Sequence, residues 1–424
     1  MSETVQLDRE IFQTKGANGL TVLSERVATV RSAAVGVWVR TASVHESRSK
    51  MGVSHLLEHM VFKGTERRTA QQLALALESR GGSLDAYTSR DTTAFHARVL
   101  DADLPRALDV LTDLVRHPVL RQSDLELERN VVLEEISTVE DTPDDQVFDL
   151  SSGLLWPDHP YGYSILGTRE SVSALSTADL QQLHDRAYFP GNCVIAAAGN
   201  IEHARLLEEL EGQGWFDRPA GNGSPQAPVP APVPPAARGT DLRQASDSAQ
   251  THIVFATDAV SYSDPRRYAL LVLANVFGGG MSSRLFQRIR EELGLAYAVY
   301  AFSSLYRDVG VVGVYVGTQP KTAEQAAAAI RAEYAKLARE GLDEAALADA
   351  KQQTQGQLVL SLESPSSRMY RLAGFPVYGA PYQNLDQGLA AVASLTGEAI
   401  LGVAGEFFDP ERQTAVWLGP ADSA

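Results

Sequence analysis

The chain of 424 residues has a single cysteine, Cys193, so no disulfide can form within it and a cysteine-rich zinc knuckle is excluded. Such usage fits a reducing compartment. Positive charge is also scarce: 37 Lys and Arg against 53 Asp and Glu leave a net charge of −16. That balance argues against a phosphate-backbone binder and admits cationic peptides as ligands. No run of about 18 apolar residues occurs, so no transmembrane helix is expected. The polar opening MSETVQLDRE is not followed by the apolar stretch a signal peptide needs. The expected setting is therefore cytoplasmic, with neither membrane nor nucleic acid as partner. What is present, 44% hydrophobic and 21% charged residues, is the composition of a globular protein with a large core.

Seven of the 20 prolines fall between Pro219 and Pro235, which excludes a hydrogen-bonded helix or central strand there. The stretch reads as an extended, semi-rigid linker, or else as a long proline-rich surface loop. The flanking halves carry the same order of elements. AAVGVWVRT, helices near 48–62 and 70–80, and strands near 83–89 and 92–99 are matched by HIVFATDAV, helices near 264–276 and 282–293, and strands near 296–303 and 310–317. Long helical segments at 104–140 and 321–360 follow. The fold class is thus α+β: two similar domains, each a mostly antiparallel sheet packed with helices. The boundaries are residues 1–217, a linker at 218–239, and 240–424.

The chemistry is concentrated in GVSHLLEHMVFKGT. His55, Glu58 and His59 form H-x-x-E-H, which puts three side chains on one helix face. Two imidazoles one turn apart can grip one zinc ion, with a carboxylate beside them to accept a proton from the attacking water. The order is the reverse of the H-E-x-x-H zinc-protease helix. With nine histidines and 53 acids in the chain, chance supplies about 0.02 such matches. The bland reading is two surface or capping histidines on an amphipathic helix. Against it, Leu56, Leu57, Met60, Val61 and Phe62 make the segment largely buried, where an unpaired glutamate is costly.

A zinc site of this kind needs a third protein ligand. The acidic helix between Asp124 and Glu140 is its best source. Measured from Leu125, Glu128 and Glu135 fall inside the apolar arc, at about 300° and about 280°, whereas Glu134 falls outside it at about 180°. Glu135 is accordingly the candidate ligand. Glu128, on the same face, either orients a ligand or belongs to a buried ion pair.

H-x-x-E-H followed by E-x(6)-E, with 75 residues between His59 and Glu135, resembles the pitrilysin and mitochondrial processing peptidase family of zinc endopeptidases. The resemblance extends over nearly the whole chain, through EHMVFKGT, GGSLDAYTSRDTTAFHARVL, ERNVVLEEI, HPYGYSILGT, YFPGNCVIAAAGNI and GGGMSSRLFQRIREELGLAYAVYAF. It implies one Zn2+ per chain held by His55, His59 and Glu135, with Glu58 as general base. It also implies an arginine and tyrosine seven positions apart, here Arg290 and Tyr297, that bind substrate and the tetrahedral intermediate. Apart from the resemblance, Arg290 reads better as an ordinary exposed helix residue beside Glu291 and Glu292.

The strand at Ser83, Leu84, Asp85, Ala86 and Tyr87 resembles the family's edge strand, to which an extended peptide adds as another strand. Asp85 stands where family members usually carry asparagine. Gly278, Gly279 and Gly280 match a glycine-bearing loop at the family's chamber mouth, or a helix end followed by a turn. No G-K-[ST] follows them, which argues against a nucleotide. The resemblance implies a homodimer and cleavage of internal bonds in unfolded or presequence-like peptides. A preference for basic peptides would follow from the net charge. Some relatives are non-catalytic partner subunits, and that is the alternative reading.

Overall fold

The computed structural model describes residues 2–217 and 227–421. Its first unit is built on a seven-stranded sheet. The strands are β1 (Glu3–Asp8), β2 (Ile11–Lys15), β3 (Thr21–Arg26), β4 (Ser32–Val39), β5 (Ser83–Thr88), β6 (Thr93–Leu100) and β7 (Cys193–Gly199). They lie in the order β1-β2-β3-β7-β4-β6-β5, and only β3 and β7 run parallel. The second unit has five strands: β8 (Asp241–Ala245), β9 (Thr251–Ala259), β10 (Ala296–Leu305), β11 (Gly310–Thr318) and β12 (Thr414–Gly419). Their order is β10-β11-β9-β12-β8, again with a single parallel pair, β8 with β12. Reading β3-β7-β4-β6-β5 against β8-β12-β9-β11-β10 gives the same path twice. The repeat seen as element order is therefore a repeat of topology, with β1 and β2 added to the first copy.

Both faces of the first sheet are covered, as β4, apolar and buried from Ala33 to Val39, requires. Val35, Val37 and Val39 face a core shared with Leu56, Leu57, Met60 and Val61. Ala34 and Trp38, on the other face, join Met369, Leu372 and Val377 from the helix Pro365–Val377. That helix belongs to the first unit, which comprises residues 1–136, 164–231 and 361–382. The second unit comprises 137–163, 232–360 and 383–424. In it the helix Pro143–Leu155 places Phe148 against Tyr315 and Phe302 of the five-stranded sheet.

The compact units thus differ from the expected boundaries at 217 and 240, because each half donates a helix to the sheet of the other. An amphipathic helix records in sequence that one of its faces is buried, not which sheet buries it. Of the expected linker, residues 218–226 lie outside the described residues. Residues 227–239 form no helix or strand, but they are tied down: Trp156 Nε1 donates to the Pro234 carbonyl (3.2 Å) and the Ala237 amide to that of Leu155 (3.0 Å).

The first four α-helices are α1 (Val53–Val61), α2 (Ala70–Glu78), α3 (Leu104–Arg116) and α4 (Gln122–Glu140), of which α1 and α4 position the site, α4 ending just beyond the first unit. Gly52, which opens α1, has φ +85°, and a Cβ there would strike the Leu166 carbonyl. Glycine is the residue that lets the chain enter α1 at this crowded point. The expected α-helix at 282–293 is a π-helical stretch over Phe286–Glu292, with only residues 284–285 α-helical before it. Gly278 ends the helix Arg267–Gly278 and packs on the backbone of Ala301, so the helix-end reading of the glycine run describes what is seen. No single helix among the described residues is long and apolar enough to cross a membrane.

Candidate metal centre

Helix α1 buries Leu56, Leu57, Met60 and Val61 and leaves His55, Glu58 and His59 half-buried on its remaining face. Helix α4 buries Leu125, Glu128, Val132 and Ile136, and Glu135 lies one step from that stripe.

The two helices bring His55, His59 and Glu135 together, with one ligand atom of each within 4.8 Å of the others. His55 Nε2 is 3.6 Å from one oxygen of Glu135, and His59 Nε2 is 3.6 Å from the other. Tetrahedral zinc with bonds of about 2.1 Å separates its ligand atoms by about 3.4 Å, so this spacing suits such an ion. The donor set also fits, since two imidazoles and one carboxylate leave a fourth position open. Burial, and then the neighbouring His59, push His55 down to about 3, so its ring is neutral and able to bind metal at ordinary pH.

Glu128 is buried and lies between two cationic or proton-donating groups. Its Oε2 is 3.1 Å from His59 Nδ1 and its Oε1 is 2.5 Å from Lys63 Nζ. A carboxylate in that position makes Nδ1 the donor and leaves Nε2 of His59 with a lone pair facing Glu135. Glu128 thus contacts the His59 ring through one oxygen and closes an ion pair with Lys63 through the other. Lys63 was not legible as a site residue, although its spacing of four from His59 places it on the same face.

Glu58 lies beside the cluster, and Thr88 Oγ1 at the end of β5 donates a 2.5 Å hydrogen bond to its Oε2. Burial raises the Glu58 carboxyl above the ordinary range, while the Thr88 bond and His59 pull it down and Glu135 pushes it up. Glu46, another residue the sequence did not reveal, accepts the amides of Gly52 and Ser54 (both 2.8 Å) at the start of α1. A carboxylate at a helix N-terminus is favoured by the dipole. Burial nevertheless lifts Glu46 to about 7.

Ser83, Leu84, Asp85, Ala86 and Tyr87 all lie on β5, one of the two edge strands of the sheet. In the second unit, Arg290 on the π-helical stretch meets Tyr297 at the start of β10. The guanidinium carbon lies 4.3 Å from the Tyr297 ring centre, and Nη1 donates to the Tyr297 carbonyl (3.2 Å). Tyr297 is 78% exposed.

Residues 21–169, which contain the whole cluster, match the family described as Insulinase (Peptidase family M16). Residues 174–354, with Arg290 and Tyr297, match the family described as Peptidase M16 inactive domain. The chain is 34% identical to an uncharacterized zinc protease of Streptomyces coelicolor over 97% of its own length and 90% of that protein. It is 36% identical to the uncharacterized zinc protease YmxG of Bacillus subtilis over 94% of its length and 96% of that protein. Among solved structures, a protease from Helicobacter pylori is similar with a TM-score of 0.89 at 22% identity, covering 99% of each chain. A structure named as a peptidase M16 inactive domain from Pseudomonas fluorescens is similar with a TM-score of 0.88 at 21% identity, covering 97% of this chain and 99% of that one. With two family matches in tandem and relatives aligned from end to end, the chain belongs to the M16 (pitrilysin-like) peptidase family.

Proposed function

We propose that the chain is a zinc endopeptidase that hydrolyses internal bonds of unfolded or presequence-like peptides. The observation that carries this reading is the convergence of His55, His59 and Glu135 with Glu58 alongside. His55, His59 and Glu135 hold the ion. Zinc, when bound, supplies Lewis acidity to a water molecule and to the scissile carbonyl. Glu58 takes the proton of the attacking water at its carboxylate and returns it to the leaving amine. Its raised pKa suits both halves of that exchange. Glu128 fixes the His59 ring. The outer edge of β5 receives the peptide as an added strand, and Arg290 and Tyr297 of the partner subunit stabilise the developing oxyanion. The net charge of −16 draws basic peptides.

Protein purified without chelator tests the reading. Stoichiometric zinc, peptide cleavage, loss of both on chelation and recovery of both on adding zinc are expected. Substoichiometric zinc that added metal does not raise would favour a non-catalytic partner subunit.

A further inference from the structure

Strand β5 alternates in exposure along its length. Leu84 and Ala86 pack on the core shared with α1, and Thr88 reaches Glu58. Asp85 and Tyr87 therefore stand on the opposite face of the sheet. There Tyr87 accepts a 3.0 Å hydrogen bond from Trp38 Nε1. His96, directly across from Asp85 on β6, shares a 2.8 Å hydrogen bond with the Tyr370 hydroxyl of the helix Pro365–Val377. The Tyr87 and Tyr370 rings lie 6.3 Å apart. Asp85 is exposed, and its carboxylate has no ion pair among the described residues. An unpaired negative charge thus sits at the sheet's outer edge beside two tyrosine rings held by their hydroxyls.

A peptide strand added to β5 would place every second side chain on this face, and the one opposite Asp85 would have its Cβ about 5 Å away. Its two neighbours would point to the face that carries Glu58. A long cationic side chain in that position meets a carboxylate and aromatic rings together, the combination that attracts ammonium and guanidinium groups. We propose that Asp85, with Tyr87 and Tyr370, forms a subsite for a lysine or arginine side chain of the bound peptide. The inference rests on the reading of β5 as the substrate strand. It assigns basic preference to one register of the peptide, whereas net charge alone would spread it along the whole ligand.

The test uses a set of peptides in which one lysine is moved through the sequence, each paired with its norleucine counterpart. Cleavage by the wild-type enzyme, and equilibrium binding to the zinc-loaded Glu58→Gln variant, are both measured. One register should favour lysine over norleucine, and Asp85→Asn should lower that ratio by about tenfold in kcat/KM and in affinity. A ratio that Asp85→Asn leaves intact, or the absence of any preferred register, overturns the subsite. The former is also what a charge serving only to keep the edge strand from self-pairing predicts. If no peptide is cleaved but the lysine preference in binding falls in Asp85→Asn, the subsite stands and the protease reading fails. Peptides cleaved without that preference would uphold the protease reading and overturn the subsite. Neither cleavage nor binding would overturn both.

Discussion

Thr88 Oγ1 donates a 2.5 Å hydrogen bond to Glu58 Oε2, joining the edge strand β5 of the first sheet to the helix that carries both histidines. The bond favours the ionised carboxylate against burial, which favours the neutral one. Thr88→Val removes the donor and keeps the shape, so the pKa of Glu58 should rise further. A general base must be ionised to act. The acid limb of the pH–rate profile should therefore move to higher pH in the variant, with the alkaline limb in place. Profiles of kcat/KM for both proteins check this, and superimposable acid limbs would refute it.

Glu128 holds His59 through Nδ1 and is itself held by Lys63. Glu128→Gln keeps the size of the side chain and removes its charge, loosening the ring and lowering its basicity. Losses of about 10- to 100-fold in metal affinity are usual for such outer partners. Zinc competition against a chromophoric chelator should show a weakening of about that size. Unchanged affinity would mean that Glu128 serves Lys63 alone.

Glu46 should make the entry to α1 sensitive to pH. Its carboxyl is lifted from 4.5 to about 7 by burial, so between those values the folded chain keeps a proton that the unfolded chain has lost. Stability then falls as pH rises through that window and levels off above it, by at most about 3 kcal/mol. Glu46→Gln cannot titrate. Relative to the variant, the metal-free wild type should lose thermal stability between about pH 5 and 8, as read by calorimetry. Parallel profiles would show that Glu46 keeps its charge state across the range.

H-x-x-E-H was legible because a helix converts spacings of three and four into one face. Glu135 was legible because a carboxylate inside an apolar arc needs a reason. Thr88 was not: its role depends on where β5 ends relative to α1, which no local pattern encodes. Lys63 and Glu46 were hidden for a related reason, since each looks like an ordinary charged residue near a helix end until its partner is in place. The repeated order of β4, β5 and β6 and of β9, β10 and β11 could be read from alternation and length, whereas the strand path that joins them to β3, β7, β8 and β12 could not. The exchange of the helices Pro143–Leu155 and Pro365–Val377 could not, because periodicity marks a buried face without naming its cover.

The resemblance to two-unit relatives leads us to propose a homodimer in which Arg290 and Tyr297 act on the partner's zinc centre. Each chain has both sets of residues, so a symmetric pair contains two complete sites. Mixing Glu58→Gln with an Arg290→Ala, Tyr297→Phe variant should restore activity, because a heterodimer regenerates one intact site. No recovery after verified subunit exchange, or full activity in a strictly monomeric form, would contradict action in trans.

Glu58 is assigned to move the proton beside a metal held by His55, His59 and Glu135, and the Glu58→Gln variant tests that assignment most directly. Zinc content and peptide cleavage are measured on the same preparation. Zinc at the wild-type level, with cleavage reduced by about 10^2- to 10^4-fold, is the expected result. A variant that keeps its zinc and cuts peptides at the wild-type rate would contradict it.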